Sequence, residues 1–244
     1  MKKLVPSQEI LFAAKCGFLS KPIWEEFFTK RSYSWNSRVW HSFVKDGYFK
    51  SHSSRMQRDV LILDKRGKLF CEAHGCAAVS PPHINQLDHD EKMARMAFIL
   101  MNSDGIGEIE FESEAKRDSM FWKVANRNAK YPDLTIEIKG QSKFSKISLE
   151  LELSRKSHGR YKKVMDSYAN AKSISAVIFI SDKQTIFNRL TEAMKDTEYP
   201  SWERPIGYGD LVAWQKDPLT APIYLNREVA TLKGWIDQVS TKSA

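Results

Sequence analysis

Residues 130–168 read KYPDLTIEIKGQSKFSKISLELELSRKSHGRYKKVMDSY, and their periodicity decides the fold. Leu134, Ile136 and Ile138 alternate with Asp133, Thr135 and Glu137, the period of a half-buried strand. Lys139-Gly140-Gln141-Ser142-Lys143 supplies turn residues. A second alternation follows, with Ile147, Leu149, Leu151 and Leu153 on one face and Ser148, Glu150 and Glu152 on the other. The two segments predict a β-hairpin whose polar face gathers Asp133, Glu150 and Glu152. Three carboxylates on one small face repel each other unless a divalent cation or a base sits among them. Ligands that are all oxygen suit Mg²⁺ or Mn²⁺ rather than zinc. The plain alternative is an amphipathic hairpin with a solvated acidic face.

Outward from the hairpin, Leu87–Met101 has the spacing of a strong helix, with Asp88, Asp90 and Glu91 at its positive end and Met93, Ala94, Met96, Ala97, Phe98 and Leu100 on its apolar face. In residues 108–112, Ile109 and Phe111 alternate with glutamates as in a strand. Residues 118–130 are ambiguous, helix then loop. Beyond the hairpin, residues 157–171 form a basic amphipathic helix, on which Tyr168 shares a face with Tyr161, Val164 and Met165 and reads as core. Residues 176–180 read as a buried strand and 185–194 as a helix. The order is helix, three strands, helix, strand: an α/β (α+β) fold with a mixed sheet. After Tyr199-Pro200, the aromatic residues Trp202, Tyr208, Trp214, Tyr224 and Trp235 scatter through a stretch rich in Pro and Gly, and residues 201–244 read as a C-terminal extension without an assigned role.

The net charge of +8 is concentrated at one end. Residues 1–80 hold fourteen Lys and Arg against seven Asp and Glu, whereas residues 81–244 hold twenty-four against twenty-three. A basic first third points to a polyanionic partner, and Ser80-Pro81-Pro82 breaks regular structure where the balance changes. The expected division is therefore 1–80, 83–200 and 201–244. Pro6-Ser7 starts a first helix that Gly17 stops. Ser20 caps a second, with Pro22 in its first turn. Ser32 or Ser34 caps a third, whose buried stripe is Trp35, Val39, Trp40, Phe43 and Val44. Strands at 48–50 and 60–63 enclose a basic tip, and Lys65-Arg66-Gly67-Lys68 closes the unit. Three helices and a hairpin make a winged helix-turn-helix. Its DNA-contacting residues are then Ser34, Asn36, Ser37, Arg38 and His41 on the third helix, with Lys50, Arg55, Arg58, Lys65 and Arg66 around the wing.

The carboxylate pattern, Pro132-Asp133, sixteen residues, then Glu150-Leu151-Glu152, resembles the PD-(D/E)xK nuclease superfamily. The resemblance implies a restriction-endonuclease-like αβββαβ core. It departs at the third position, where Glu152 stands in place of lysine and Lys156 is a migrated candidate. Leu87-Asp88-His89-Asp90, residues 111–117, Tyr131-Pro132-Asp133 and residues 149–157 succeed one another as in the plasmid replication-relaxation group, and resemble its MobC-type mobilisation relaxases. This likeness spans most of residues 1–181. It implies metal-dependent nicking of double-stranded DNA at an origin of transfer, alongside accessory relaxosome proteins and a coupling protein. Asp133, Glu150 and Glu152 are the implied metal ligands, with Glu152 also a candidate base. Lys156 faces charge on the phosphate, and Glu114 matches an acidic position of the family, although a glutamate at a helix start serves equally well. The alternative is a non-catalytic DNA-binding regulator with an inactive nuclease-like domain.

Other classes fit poorly. No apolar run reaches the length of a membrane span, so no membrane insertion is expected. An odd cysteine count fits a reducing cytoplasm. Cys71 and Cys76 lack a second ligand pair for zinc and read as part of a structural loop. No His-x-His pair supports a histidine metal site.

Overall fold

The computed structural model of the chain describes residues 5–52, 59–117, 130–140, 146–197, 205–225 and 228–240. It divides into two compact units, Met1–Glu91 and Lys92–Ala244. The division falls later than Ser80-Pro81-Pro82, inside a helix.

The first unit runs α1 (Ser7–Cys16), β1 (Leu19–Ser20), α2 (Lys21–Phe27), α3 (Tyr33–Lys45), β2 (Phe49–Ser51), β3 (Val60–Leu63) and α4 (Lys65–Ala73). β3 lies between β1 and β2, antiparallel to both. α1 stops where Gly17 takes a left-handed backbone, φ +89°, and its N–H donates to Ala13 O at 2.9 Å. Trp24, Trp40, Phe43 and Phe49 form the aromatic core, Trp24 meeting Phe43 edge-on at 5.6 Å. Ser20 and Ser32 precede α2 and α3 as expected, yet neither side chain caps its helix.

Two expectations for this unit are corrected. The buried stripe of α3 is Asn36, Trp40 and Phe43, while Val44 is exposed and Trp35 and Val39 are only half-buried. Asn36 tolerates burial because Thr29 Oγ1 donates to its Oδ1 at 3.0 Å. Lys65 to Lys68 opens α4 rather than closing the unit, and Cys71 lies inside that helix. All three cysteines are free thiols.

The second unit begins within α5 (Leu87–Met101) and continues through β4 (Ile106–Phe111), α6 (Glu112–Arg117), β5 (Leu134–Ile138), β6 (Lys146–Leu151), α7 (His158–Ala169), β7 (Ala176–Ser181) and α8 (Gln184–Lys195). β8 (Ile206–Asp210), α9 (Leu211–Lys216), β9 (Ile223–Tyr224), β10 (Val229–Ala230) and α10 (Leu232–Ser240) follow. One seven-stranded mixed sheet holds the order β10-β9-β8-β7-β6-β5-β4. β4, β5 and β6 pair antiparallel, β6, β7 and β8 pair parallel, and β9 and β10 return antiparallel.

The hairpin forms with the expected alternation, Leu134 opposite Leu149 and Thr135 opposite Ser148. Its polar face, however, is not solvated. Glu150 lies beside Phe179 and Ser148 beside Val177 in the parallel register. Val177 and Phe179 pack with Tyr161, Met165 and Tyr168 of α7 and with Ile186, Leu190 and Ala193 of α8. A strand in the parallel part of a sheet is covered on both faces, so Ser148 and Glu150 of β6 are buried with the apolar residues, and Thr135, opposite Ser148, is buried beside them.

The residues after 204 are part of this sheet rather than an extension. β8 pairs along the whole of β7, Val177 opposite Ile206 and Ser181 opposite Asp210. Trp214 of α9 is fully buried against Gly209, where an added Cβ would stand 2.2 Å from its Nε1. Trp202 lies outside the described residues. Among those residues no helix is long and apolar enough to cross a membrane.

Candidate functional site

Asp133 immediately precedes β5, and its Oδ2 accepts the Leu151 N–H at 2.9 Å, which ties it to the neighbouring strand. Glu150, on β6, is 1% exposed. Its Oε2 is paired with Lys130 Nζ and its Oε1 accepts the Tyr168 hydroxyl. The same hydroxyl stands 2.7 Å from Ser148 Oγ, one strand pleat away. Lys130 Nζ also lies 3.6 Å from Asp133 Oδ1, so one ammonium faces both carboxylates. The Lys130 N–H donates to Ser167 Oγ of α7, which anchors the residue from which that side chain extends.

Glu152, just beyond β6 and 2% exposed, pairs separately with Lys156 Nζ at 2.5 Å. Its main chain continues the parallel ladder, N–H to Ile180 O at 2.9 Å. The Lys156 N–H donates to Tyr161 Oη at 3.2 Å, fixing the turn into α7. Glu114 accepts the Phe111 N–H on Oε2 at 3.1 Å, as a glutamate at the start of α6 does.

Burial sets the electrostatics. It pushes the Glu150 carboxyl up to about 7; the Lys130 charge opposes this rise and Asp133 adds to it. For Lys130, partial burial works against the charged form, but Glu150 and then Asp133 outweigh it, and the ammonium is held above its usual range. Burial, followed by the Glu150 charge, lifts the Tyr168 phenol well above its usual value, so Tyr168 is a neutral donor.

The cluster is thus two carboxylates converging on one cation, with a second ion pair alongside. Asp133 and Glu150 come together as their spacing implied, and bases do sit among the carboxylates. Among the described residues no group of three or more His, Cys, Asp or Glu side chains is gathered closely enough to hold one metal ion together. Lys130 was missed because the lysine was sought downstream of Glu150. The available signal was an ammonium three residues before Asp133, within reach of the same strand end.

In the first unit, Ser34, Arg38 and His41 lie on the exposed side of α3, with Ser37 half-buried beside them. Arg38 Nε donates to Ser34 O at 3.3 Å and His41 Nδ1 donates to Ser37 O at 2.7 Å, leaving the Arg38 terminal nitrogens and His41 Nε2 to point elsewhere. A groove of about 940 Å³ runs past Ser37, Arg38, His41 and Lys45 to Ser51 and Asp59 of the hairpin. Lys50 and Lys65 are exposed. Arg66 is a brace within the unit, donating to Asp46 O at 2.7 Å over the Tyr48 ring. Asn36 faces the core and does not belong to the exposed set. Arg55 and Arg58 lie outside the described residues.

No protein-family model matches this chain, and no curated protein or solved structure is significantly similar to it.

Proposed function

We propose that this chain is a metal-dependent DNA-nicking endonuclease of the PD-(D/E)xK kind, acting as a MobC-type plasmid mobilisation relaxase at an origin of transfer. The observation that carries this reading is the convergence of Asp133 and Glu150, from adjacent antiparallel strands, on a single cation. Their setting supports it. The succession α5, β4, α6, β5, β6, α7, β7, with two antiparallel pairings and then a parallel one, supports a restriction-endonuclease-like reading. In the first unit, helix, strand, two helices and two strands around a three-stranded sheet support a winged-helix reading, with the exposed side of α3 directed at duplex DNA.

The donor set fits a hard divalent cation in kind, since the two carboxylate oxygens that meet at one point already hold a positive charge there. Asp133 and Glu150 would hold Mg²⁺ or Mn²⁺, which when bound supplies Lewis-acid polarisation of the scissile phosphate. Glu152, beside Lys156, accepts a proton from the attacking water. The lysine ammonium groups at the strand ends offset charge that develops on the phosphate. Tyr168, fully buried with its hydroxyl shared between Ser148 and Glu150, is spent on holding the carboxylate, which favours hydrolysis over a tyrosine-linked intermediate. One observation favours a non-catalytic DNA-binding regulator instead: the Lys130 ammonium already stands between the two carboxylates.

The test is supercoiled plasmid carrying the origin, incubated with the protein and Mg²⁺ or Mn²⁺. Relaxed circles with no protein-linked strand are expected. Linear product would make the enzyme a double-strand endonuclease, and unchanged plasmid at every metal concentration would leave the regulator.

A further inference from the structure

We infer that Lys130 is a resident cation excluding divalent metal from the Asp133–Glu150 pair until a DNA phosphate draws it out, so that metal and DNA bind cooperatively. This rests on the nuclease reading above. Glu150 turns Oε2 to Lys130 and Oε1 to Tyr168, while Asp133 turns Oδ1 to Lys130 and Oδ2 to the Leu151 N–H. The carboxylate oxygens that face one another across the site are therefore the two turned to the ammonium. A metal ion held by Asp133 and Glu150 would take the place of the Lys130 ammonium, because two cations repel at one place.

The partners differ in freedom to move. Glu150 is 1% exposed and lies in the sheet ladder, and Asp133 is bonded to the adjacent strand. The Lys130 side chain is 29% exposed. Its backbone is held at Ser167, but four methylenes separate that anchor from the charge. The mobile member of the cluster is the lysine. A phosphodiester offers the departing ammonium an anionic partner of equal hydrogen-bonding quality. A metal ion in turn replaces the charge that Asp133 and Glu150 lose. Each ligand removes the obstacle to the other, and the coupling is reciprocal by linkage. Lys156 has no such role, because among the described residues its ammonium pairs with Glu152 and not with Asp133 or Glu150.

Mn²⁺ binding to the full chain, followed through the electron paramagnetic resonance of the free ion, tests this with and without a non-cleavable phosphorothioate duplex of the origin. For the wild type, the duplex is expected to tighten Mn²⁺ binding about tenfold, within the usual range of coupling between sites. Lys130→Met is expected to bind Mn²⁺ about tenfold more tightly than wild type without DNA, and the duplex then adds little. Lys130→Arg keeps the resident charge in a two-pronged form and is expected to bind Mn²⁺ more weakly than wild type without DNA. Should Lys130→Met fail to fold, as its melting curve reports, the arginine variant decides. Metal affinity in either variant equal to wild type overturns the proposal. Coupling without nicking would remove the nuclease function and keep the lysine gate; nicking without coupling would do the reverse.

Discussion

At the start of β5 and the end of β6 each charged side chain of the cluster touches another group of the second unit, whereas on the exposed side of α3, among the described residues, Arg38 and His41 hydrogen-bond back to Ser34 and Ser37 of their own helix. The difference is one of solvent. A carboxylate as buried as Glu150 persists only with partners, because an unpaired charge in the interior loses its hydration with nothing in exchange. A guanidinium in water has no such requirement, and its hydrogen-bonding capacity stays available to an incoming ligand. Function and stability are therefore entangled in the second unit and separable on α3. Each experiment below strains that contrast, beginning where the expected loss is greatest.

Glu150→Ala takes from Lys130 the nearer of its two carboxylates and from the Tyr168 hydroxyl its carboxylate acceptor. Breaking a buried pair by removing one partner costs about 3–5 kcal/mol, and this substitution is expected near that range as well as to abolish nicking. The sequence taken alone suggests the opposite sign, since truncating one of three crowded carboxylates would relieve repulsion. Urea denaturation in metal-free buffer distinguishes the two. A midpoint equal to or above that of wild type would mean that the lysines do not compensate the carboxylates in solution.

Two substitutions of intermediate size ask whether burial or membership of the catalytic cluster sets the cost. Tyr168→Phe leaves Glu150 Oε1 one donor short and is expected to cost about 1–3 kcal/mol, to slow nicking without abolishing it, and to leave the cut strand free of protein. A protein-linked strand lost in this variant would make Tyr168 the nucleophile. Asn36→Ala, on α3 but facing the core, removes the acceptor of the Thr29 hydroxyl and is expected to cost a similar amount, about 1–3 kcal/mol, with no change in which DNA is preferred. If Asn36→Ala instead leaves the thermal midpoint unchanged and alters site preference, the side chain turns outward on DNA and the contrast drawn for α3 fails.

The hairpin, its alternation and the limits of Leu87–Met101 were legible because period 2 and period 3.6 write themselves directly into residue order. Burial of the polar face was not, because it depends on α7, whose Tyr168 and Ser167 supply the hydroxyls that make a buried Glu150 and a tethered Lys130 tolerable. Asn36 misled for the same reason on a smaller scale: its partner, Thr29, lies on the loop before α3. The strands after residue 204 were missed because β9 and β10 have two residues each, and because Gly207 and Gly209 in β8 run against strand propensity. Gly209 is there for the Trp214 ring, a reason visible only after folding.

The smallest expected effect on stability belongs to Arg38→Ala, and it tests the contrast from the side where function and stability should separate. Arg38 is exposed, and among the described residues it bonds to the carbonyl of Ser34 on the preceding turn, so truncation is expected to change unfolding by no more than about 0.5 kcal/mol. If the terminal nitrogens read a base edge, the same change removes about 1–3 kcal/mol of discrimination between the origin and a scrambled duplex. Lys50→Ala, on the hairpin strand, is the companion. A phosphate contact there predicts weaker binding to both duplexes alike, and a flatter dependence of affinity on salt by about one counterion. Binding isotherms for the two duplexes at several salt concentrations, set beside thermal melts of the same proteins, give all four quantities. Should Arg38→Ala weaken both duplexes equally and flatten the salt dependence as Lys50→Ala does, α3 would be gripping the backbone, and discrimination between sites would have to reside elsewhere in the chain.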